Sequence, residues 1–504
     1  MAWTEPGMGR EPLLLGLLVL LYIPRPSLGG PSQPALAPLF PGKPFMVFWG
    51  FPDTACSASG RPDPGAYGME REGRVTVFYE DSLGHYPYYT DQGQPVNGGL
   101  PQHTRLDNHL QKTGEDLAVL LPQAGYQGLG VLRWEEWAPQ WSRNQEKQGL
   151  YLEESRALLR AFFPDWSPEE VEKWSQVDFE AAAQSILTET LWEVRRLRPK
   201  ALWGVSPYPD CYNSGPSQSL SNYTGRCPAA EMALNDEMLW LWKRCSALYP
   251  SLTLEKLTPN PQARLYVSNQ IREAMRVASL AGTAYDIPVF PLVQGVYSST
   301  NTYLSEADLV NTIGESVAMG TAGAIMWDKT PIKTQRVCSE LAAYVRDVLG
   351  PYAVNITTAA RLCSVSLCQG RGRCVRRNAE SSAYLHLPRP DFLLGLEKAQ
   401  GVAATGQLSP AGLDRWRRDF RCQWYEALEG AAADEQSPKD GAALGGPSQG
   451  QRVPPPSPKP LTEPSGGVSP GASVPTPSDH SAPPLSAAIL PALLLASALC
   501  LVQP

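Results

Sequence analysis

The sequence predicts an α/β fold: a distorted (β/α) barrel of the TIM type, followed by a small cysteine-rich module. Three observations carry the prediction. Short apolar runs alternate with long helical stretches from Pro44 to about Tyr352. Strand-then-helix repetition implies a parallel sheet, and roughly 300 residues is the length a (β/α) barrel needs. Beyond that span, Cys363, Cys368 and Cys374 crowd into LCSVSLCQGRGRC, a density suited to a loop-rich module without a core of its own.

The elements follow in order. PFMVFW, VTVFY, GLGVL, ALWGV, IPVFPLV and AGAIMW read as buried strands, being short, apolar and rich in β-branched or aromatic residues. SRALLRAFF and DFEAAAQSILTETLWEVRRLR read as helices. Residues 30–354 are assigned to the barrel, with a Pro-rich leader at 31–43, and 355–429 to the cysteine-rich module. Residues 430–484 are rich in Pro, Ser, Gly and Ala; they carry too little apolar surface to fold and read as a stalk.

Both ends read as processing signals. Leu13 to Ile23 is apolar, follows Arg10 and precedes small residues, the pattern of a signal peptide over 1–29. Residues 485–504 carry an apolar run, Leu485 to Val502, with small residues and a polar spacer upstream, the layout of a GPI-attachment signal. A short transmembrane helix is the alternative; Pro491 and the missing basic flank weigh against it. The expected location is the extracellular face of the plasma membrane. Asn222 (NYT) and Asn355 (NIT) are glycosylation sequons.

Composition narrows the function. A net charge of −7 without a basic face argues against nucleic-acid binding. Ten cysteines in a secreted chain should mostly pair; Cys500 leaves with the tail, and the odd number remaining leaves at least one thiol unpaired or bridging to another chain. No C-x-x-C pair occurs and the five His are scattered, so no zinc site and no cofactor is expected.

The segment GVLRWEEW ends a predicted strand on Arg133, Trp134 and Glu135. Residues i and i+2 of a strand share a face, so Arg133 and Glu135 should be neighbours at the strand mouth while Glu136 points away.

FYEDSLGHYPYY, WEEWAPQW, WGVSPYPDCYN, NDEMLWLW, SALYPS, IGESVAMGTAGAIMW and CQGRGRCVRR, in this order, resemble the vertebrate hyaluronidases over residues 40–425, and the apolar tail resembles their GPI-anchored members. The resemblance implies a barrel closed by an EGF-like module, and retaining, substrate-assisted endo-hydrolysis of β-1,4 N-acetylglucosaminidic bonds in hyaluronan, more slowly in chondroitin. It implies bridges Cys56–Cys338, Cys211–Cys227, Cys363–Cys374 and Cys368–Cys422. Trp424 stands where a further EGF-like cysteine is expected, which leaves Cys245 as the odd thiol.

In that family the motif is Asp-Trp-Glu. The Glu is acid and then base, and the Asp orients the acetamido group whose oxygen attacks the anomeric carbon. Here the motif is Arg133-Trp134-Glu135. Glu135 is the expected proton donor. A general acid needs its protonated form, which a neighbouring carboxylate favours and a neighbouring guanidinium disfavours. Arginine also offers no acceptor to an acetamido N–H. The resemblance further places Tyr249, Trp327 and Asn355 at the site. Ser206 stands for a Tyr that orients the acetamido group, and Gln270 for an Arg that holds the acidic polymer or the cleft. Arg133, Tyr249, Trp327, Ser206 and Gln270 are therefore the expected substrate-binding positions. Two outcomes stay open: a weak hydrolase, or an inactive cell-surface protein that binds glycosaminoglycan, through Arg133 and a glucuronate carboxylate, or binds a protein partner. A decaying sequence without a stable product is the least favoured.

Overall fold

The computed structural model describes residues 33–426, apart from 58–59, 72–73, 214–222, 257–259, 331, 333 and 398–400. The signal peptide, stalk and apolar tail expected at 1–29, 430–484 and 485–504, and Asn222, lie outside the described residues. Within them no helix is long and apolar enough to cross a membrane.

Seven parallel strands form the barrel: β1 (Met46–Gly50), β2 (Val75–Phe78), β3 (Leu129–Arg133), β4 (Leu202–Ser206), β5 (Ser251–Leu252), β6 (Leu292–Gln294) and β7 (Gly323–Trp327). They pair as β2-β3-β4 and as β1-β7-β6-β5. Two irregular seams join these sheets. Glu70 takes ladder hydrogen bonds with Val47 and Trp49 beside β1. Ser246 and Ala247 donate to the Trp203 carbonyl beside β4. These seams are the distortion. β5 was not legible in the sequence, since two residues cannot show a periodicity.

Side-chain alternation sorts the core into three layers. Met46, Phe48, Leu129, Val131, Leu292, Ile325 and Trp327 fill the barrel interior. Their strand neighbours Val47, Trp49, Ala324 and Met326 face one outer layer, and Leu132, Trp203 and Val205 face the other. Helices α1 (Leu106–Leu120), α2 (Gly149–Phe162), α3 (Pro168–Leu197) and α4 (Asn260–Ala281) cover the barrel. The 30-residue α3 starts where the sequence tells it to. Ser167 caps the Glu170 amide, Glu170 returns the bond, and Pro168 occupies the first turn.

The cysteine-rich segment is continuous with the barrel. The boundary proposed at 354/355 falls inside helix α5 (Gly350–Cys368). Cys363, Cys368, Cys374, Leu385, Leu387, Trp416 and Phe420 share one core with barrel residues Val47, Trp49 and Met326. The described residues from 33 to 426 fall in one compact unit. The segment's small size argued for a separate, stapled module; it instead borrows the barrel's apolar surface. Its strand β8 (Gly372–Arg376) pairs antiparallel with Phe420–Trp424. All four bridges implied by the family are present. Cys245 is free and buried, and burial pushes its thiol up to about 12.

Candidate active site

The carboxyl ends of the strands are where (β/α) barrels place their chemistry. β3 and β4 are in register with Arg133 opposite Ser206, the last residue of each. Alternation points Leu129, Val131 and Arg133 inward, so Arg133 tops the interior stack, as Trp327 does on β7. The three side chains meet there. The Arg133 Nη1 donates to Ser206 Oγ at 2.9 Å. Its Nη2 lies 2.8 Å from Glu135 Oε1. Its guanidinium carbon sits 4.0 Å from the Trp327 ring centroid, a cation–π geometry worth roughly 1–2 kcal/mol when desolvated. The expected neighbourhood of Arg133 and Glu135 is thus present.

The two partners differ in exposure. The Arg133 side chain is 6% accessible and that of Glu135 34%. Burial presses the guanidinium pKa below its ordinary value, and the Glu135 carboxylate opposes that shift. Arg133 Nε is buried without a partner among the described residues. Arg133 is therefore a plug in the cleft floor. This corrects the expectation that it faces a glucuronate: both terminal nitrogens already bond to the protein, and the group has almost no open face.

Glu135 is held by its backbone. Its amide donates to Glu80 Oε1 at 3.0 Å, and its carbonyl accepts from Gln148 Nε2 at 2.8 Å. The flanking tryptophans anchor the segment. Trp134 Nε1 donates to the Tyr79 carbonyl at 3.2 Å, and Trp137 Nε1 to the Pro87 carbonyl at 2.8 Å. Both rings pack on Tyr86, with centroids 4.7 and 5.0 Å away. The two Trp of WEEW thus serve as anchors, leaving the two Glu between them on the walls. Glu136 is half-buried, and its pKa is raised first by that burial and then by Glu80. Tyr79 is pushed up to about 12 by burial, with Arg133 opposing. Sequence reasoning did not single out Tyr79, Glu80 or Gln148. FYED directly after a strand was the available signal for the first two.

Three expected site residues lie elsewhere. Tyr249 is fully buried in the barrel interior, and its hydroxyl donates to the carbonyl of Leu202, the first residue of β4, at 2.6 Å. That is the end of the strand opposite Ser206. Gln270, on α4, braces the loop after β4: its Nε2 donates to Asp210 Oδ1 at 2.9 Å and its Oε1 accepts from the Cys211 amide at 3.0 Å. It acts on the cleft through that loop. Asn355, on α5, accepts from the Leu387 amide at 3.0 Å and belongs to the junction with the cysteine-rich segment. Among the described residues no cluster of three or more His, Cys, Asp or Glu is placed to hold a metal ion.

Comparison with known proteins bears on this site. The hyaluronidase family model, glycoside hydrolase family 56, matches residues 34–437. Human hyaluronidase-2 is 39% identical over 412 residues, covering 79% of this chain and 87% of its own length. A hyaluronidase of the viper Echis ocellatus is 36% identical over 420 residues, covering 81% and 94%. Bee venom hyaluronidase, solved in complex with a hyaluronic acid tetramer, superposes with a TM-score of 0.57 at 30% identity, covering 62% of this chain and 98% of its own. The chain, with its seven-stranded barrel and its carboxylate at the strand mouth, belongs to the hyaluronidase family.

Proposed function

We propose that this protein is a hyaluronan-directed member of the family whose cleft engages the polymer but hydrolyses its β-1,4 N-acetylglucosaminidic bonds weakly or not at all. One observation carries the reading: the Arg133 guanidinium fills the space between Glu135, Ser206 and Trp327. The family's reaction asks two things of this floor. A carboxyl must carry a proton to the leaving oxygen, and an acceptor must hold the acetamido N–H while its oxygen attacks. Arg133 is a donor only. It takes Glu135 Oε1 as its partner in an ion pair. It supplies no acceptor for the acetamido group, and Ser206 is buried with its oxygen already engaged. The carboxyl is tied to a cation at the floor, and the acceptor that would orient the substrate is missing.

Setting supports the substrate class and the compartment. A relative of the same fold is known in complex with a hyaluronic acid tetramer, and four disulfides suit an oxidising compartment. We place the mature chain outside the cell, attached through the 485–504 signal, with glycans on Asn222 and Asn355.

The test pairs binding with turnover. Hyaluronan oligosaccharides are titrated into the purified protein, and reducing-end release from the polymer is followed between about pH 4 and 7. The reading predicts saturable binding with release no greater than that of Glu135→Gln. Release well above that control overturns the loss of turnover; absence of binding overturns the hyaluronan assignment.

A further inference from the structure

At the opposite, amino end of the strands lies a second cavity, of about 200 Å³. Its walls are mostly apolar: Leu36, Pro38 and Leu39 from the leading strap, Leu202 at the start of β4, Phe290 before β6 and Ala322 before β7. The strap is stitched down. The Ala35 amide donates to the Trp424 carbonyl at 2.8 Å, and the Ala35 carbonyl accepts from the Glu426 amide at 2.8 Å. Three polar side chains also line this space: Gln127, whose Nε2 donates to the Leu39 carbonyl at 3.0 Å, Arg373 and Tyr425.

Arg373 is 4% exposed. Its Nε donates to Gln423 Oε1 at 3.0 Å, while its two terminal nitrogens have no acceptor among the described residues. Asp286 is engaged by Gln423 Nε2 at 2.8 Å and makes no direct hydrogen bond to Arg373, on which its charge acts across space. The Tyr425 hydroxyl is buried and also lacks a partner. A buried guanidinium that spends one donor of five is costly, and proteins retain such a group where something accepts from it. Planar, paired donors match a carboxylate.

We infer that this basal cavity binds a small carboxylate carrying a short apolar tail. The head takes the two free Arg373 nitrogens and the Tyr425 hydroxyl; the tail lies on Leu36, Leu39 and Phe290. At roughly 30 Å³ for each water-sized group, the volume admits about seven heavy atoms, close to the eight of hexanoate. The site is separate from the Arg133 cleft, and its ligand is not a sugar.

Hexanoate is titrated into the full-length protein by calorimetry, with 1-hexanol and acetate as head and tail controls. Saturable hexanoate binding is expected, with each control weaker by about tenfold or more, the loss of a charge-assisted hydrogen bond or of several buried methylenes. Ala322→Leu fills the cavity without touching Arg373 and should abolish binding. Arg373→Met should bring hexanoate down to the hexanol level. No saturable binding, equal binding of hexanol, or hexanoate binding that survives Ala322→Leu each overturns the assignment. Ala322→Leu decides the matter even where Arg373→Met fails to fold.

Discussion

Among the buried arginines paired with glutamates, two make an instructive contrast. Arg376 and Glu315 join the cysteine-rich segment to the barrel. Their side chains are 1% and 0% exposed; Nη1 donates to Glu315 Oε2 at 2.9 Å while Nη2 bonds Oε1, and the same two nitrogens also meet the carbonyls of Ala383 and Ala379, leaving only Nε without a partner among the described residues. Arg133 is as deeply placed, but Glu135 is a third exposed and the guanidinium rests on an aromatic face. The first pair is closed on both sides, so each charge depends on the other. The second is open on the carboxylate side, so Glu135 can be hydrated if its partner is removed. The same pair of side chains is sealed scaffold in one place and an open cleft-floor contact in the other, and accessibility of the carboxylate separates them.

The comparison can be broken at its strong end first. Arg376→Met leaves Glu315 buried and unpaired and should cost about 3–5 kcal/mol by urea unfolding. A loss below about 1 kcal/mol, the range of exposed pairs, would erase the contrast. Acidity gives the next largest effect. Burial holds His386, which meets Tyr352 at the same junction, and His109, behind Trp134, down to about 4. Their folded values lie below the unfolded one, so the unfolded chain binds more protons between about pH 6.5 and 4. The stability they contribute is complete above 6.5 and is lost as pH falls through that window, by up to about 3 kcal/mol for each histidine. His109→Gln should flatten the slope of unfolding free energy against pH there.

Arg133→Met should cost only about 1–2 kcal/mol, for the lost ring contact and one hydrogen bond. Cys245 provides an internal ruler for both variants. Its thiol is buried and pushed up to about 12, so iodoacetamide at pH 8 should leave it unlabelled in the native protein. Labelling should accelerate in Arg376→Met far more than in Arg133→Met; equal rates would place the two pairs in one class. The smallest effect lies outside both pairs. Ser167→Ala removes the cap of α3 and should cost about 1 kcal/mol.

Much of this was legible in the sequence, for a local reason. Apolar runs of strand length between helices gave the barrel, and the two-residue period placed Arg133 beside Glu135. The family's motifs gave the four bridges. What was not legible has a different cause. Tyr249, Gln270 and Asn355 are positioned by how a whole strand or helix folds back, and periodicity gives a side chain's direction but not its destination. The continuity across 354/355 was hidden because helix α5 runs through it and its apolar face completes the barrel's outer layer. Arg133 was placed correctly but assigned an open face, because burial of a strand's last residue depends on what the facing strand, here β7 with Trp327, puts across from it.

The central claim is that Arg133, with Ser206, disables an otherwise intact strand-mouth site. The most direct test is reducing-end release from hyaluronan by Arg133→Asp combined with Ser206→Tyr, with and without Glu135→Gln. The account predicts that the double variant gains at least about a hundredfold over the unaltered chain, the scale of restored general acid–base catalysis, and loses the gain when Glu135 is changed. A folded double variant no faster than the unaltered chain, or an unaltered chain already fast and dependent on Glu135, would contradict it.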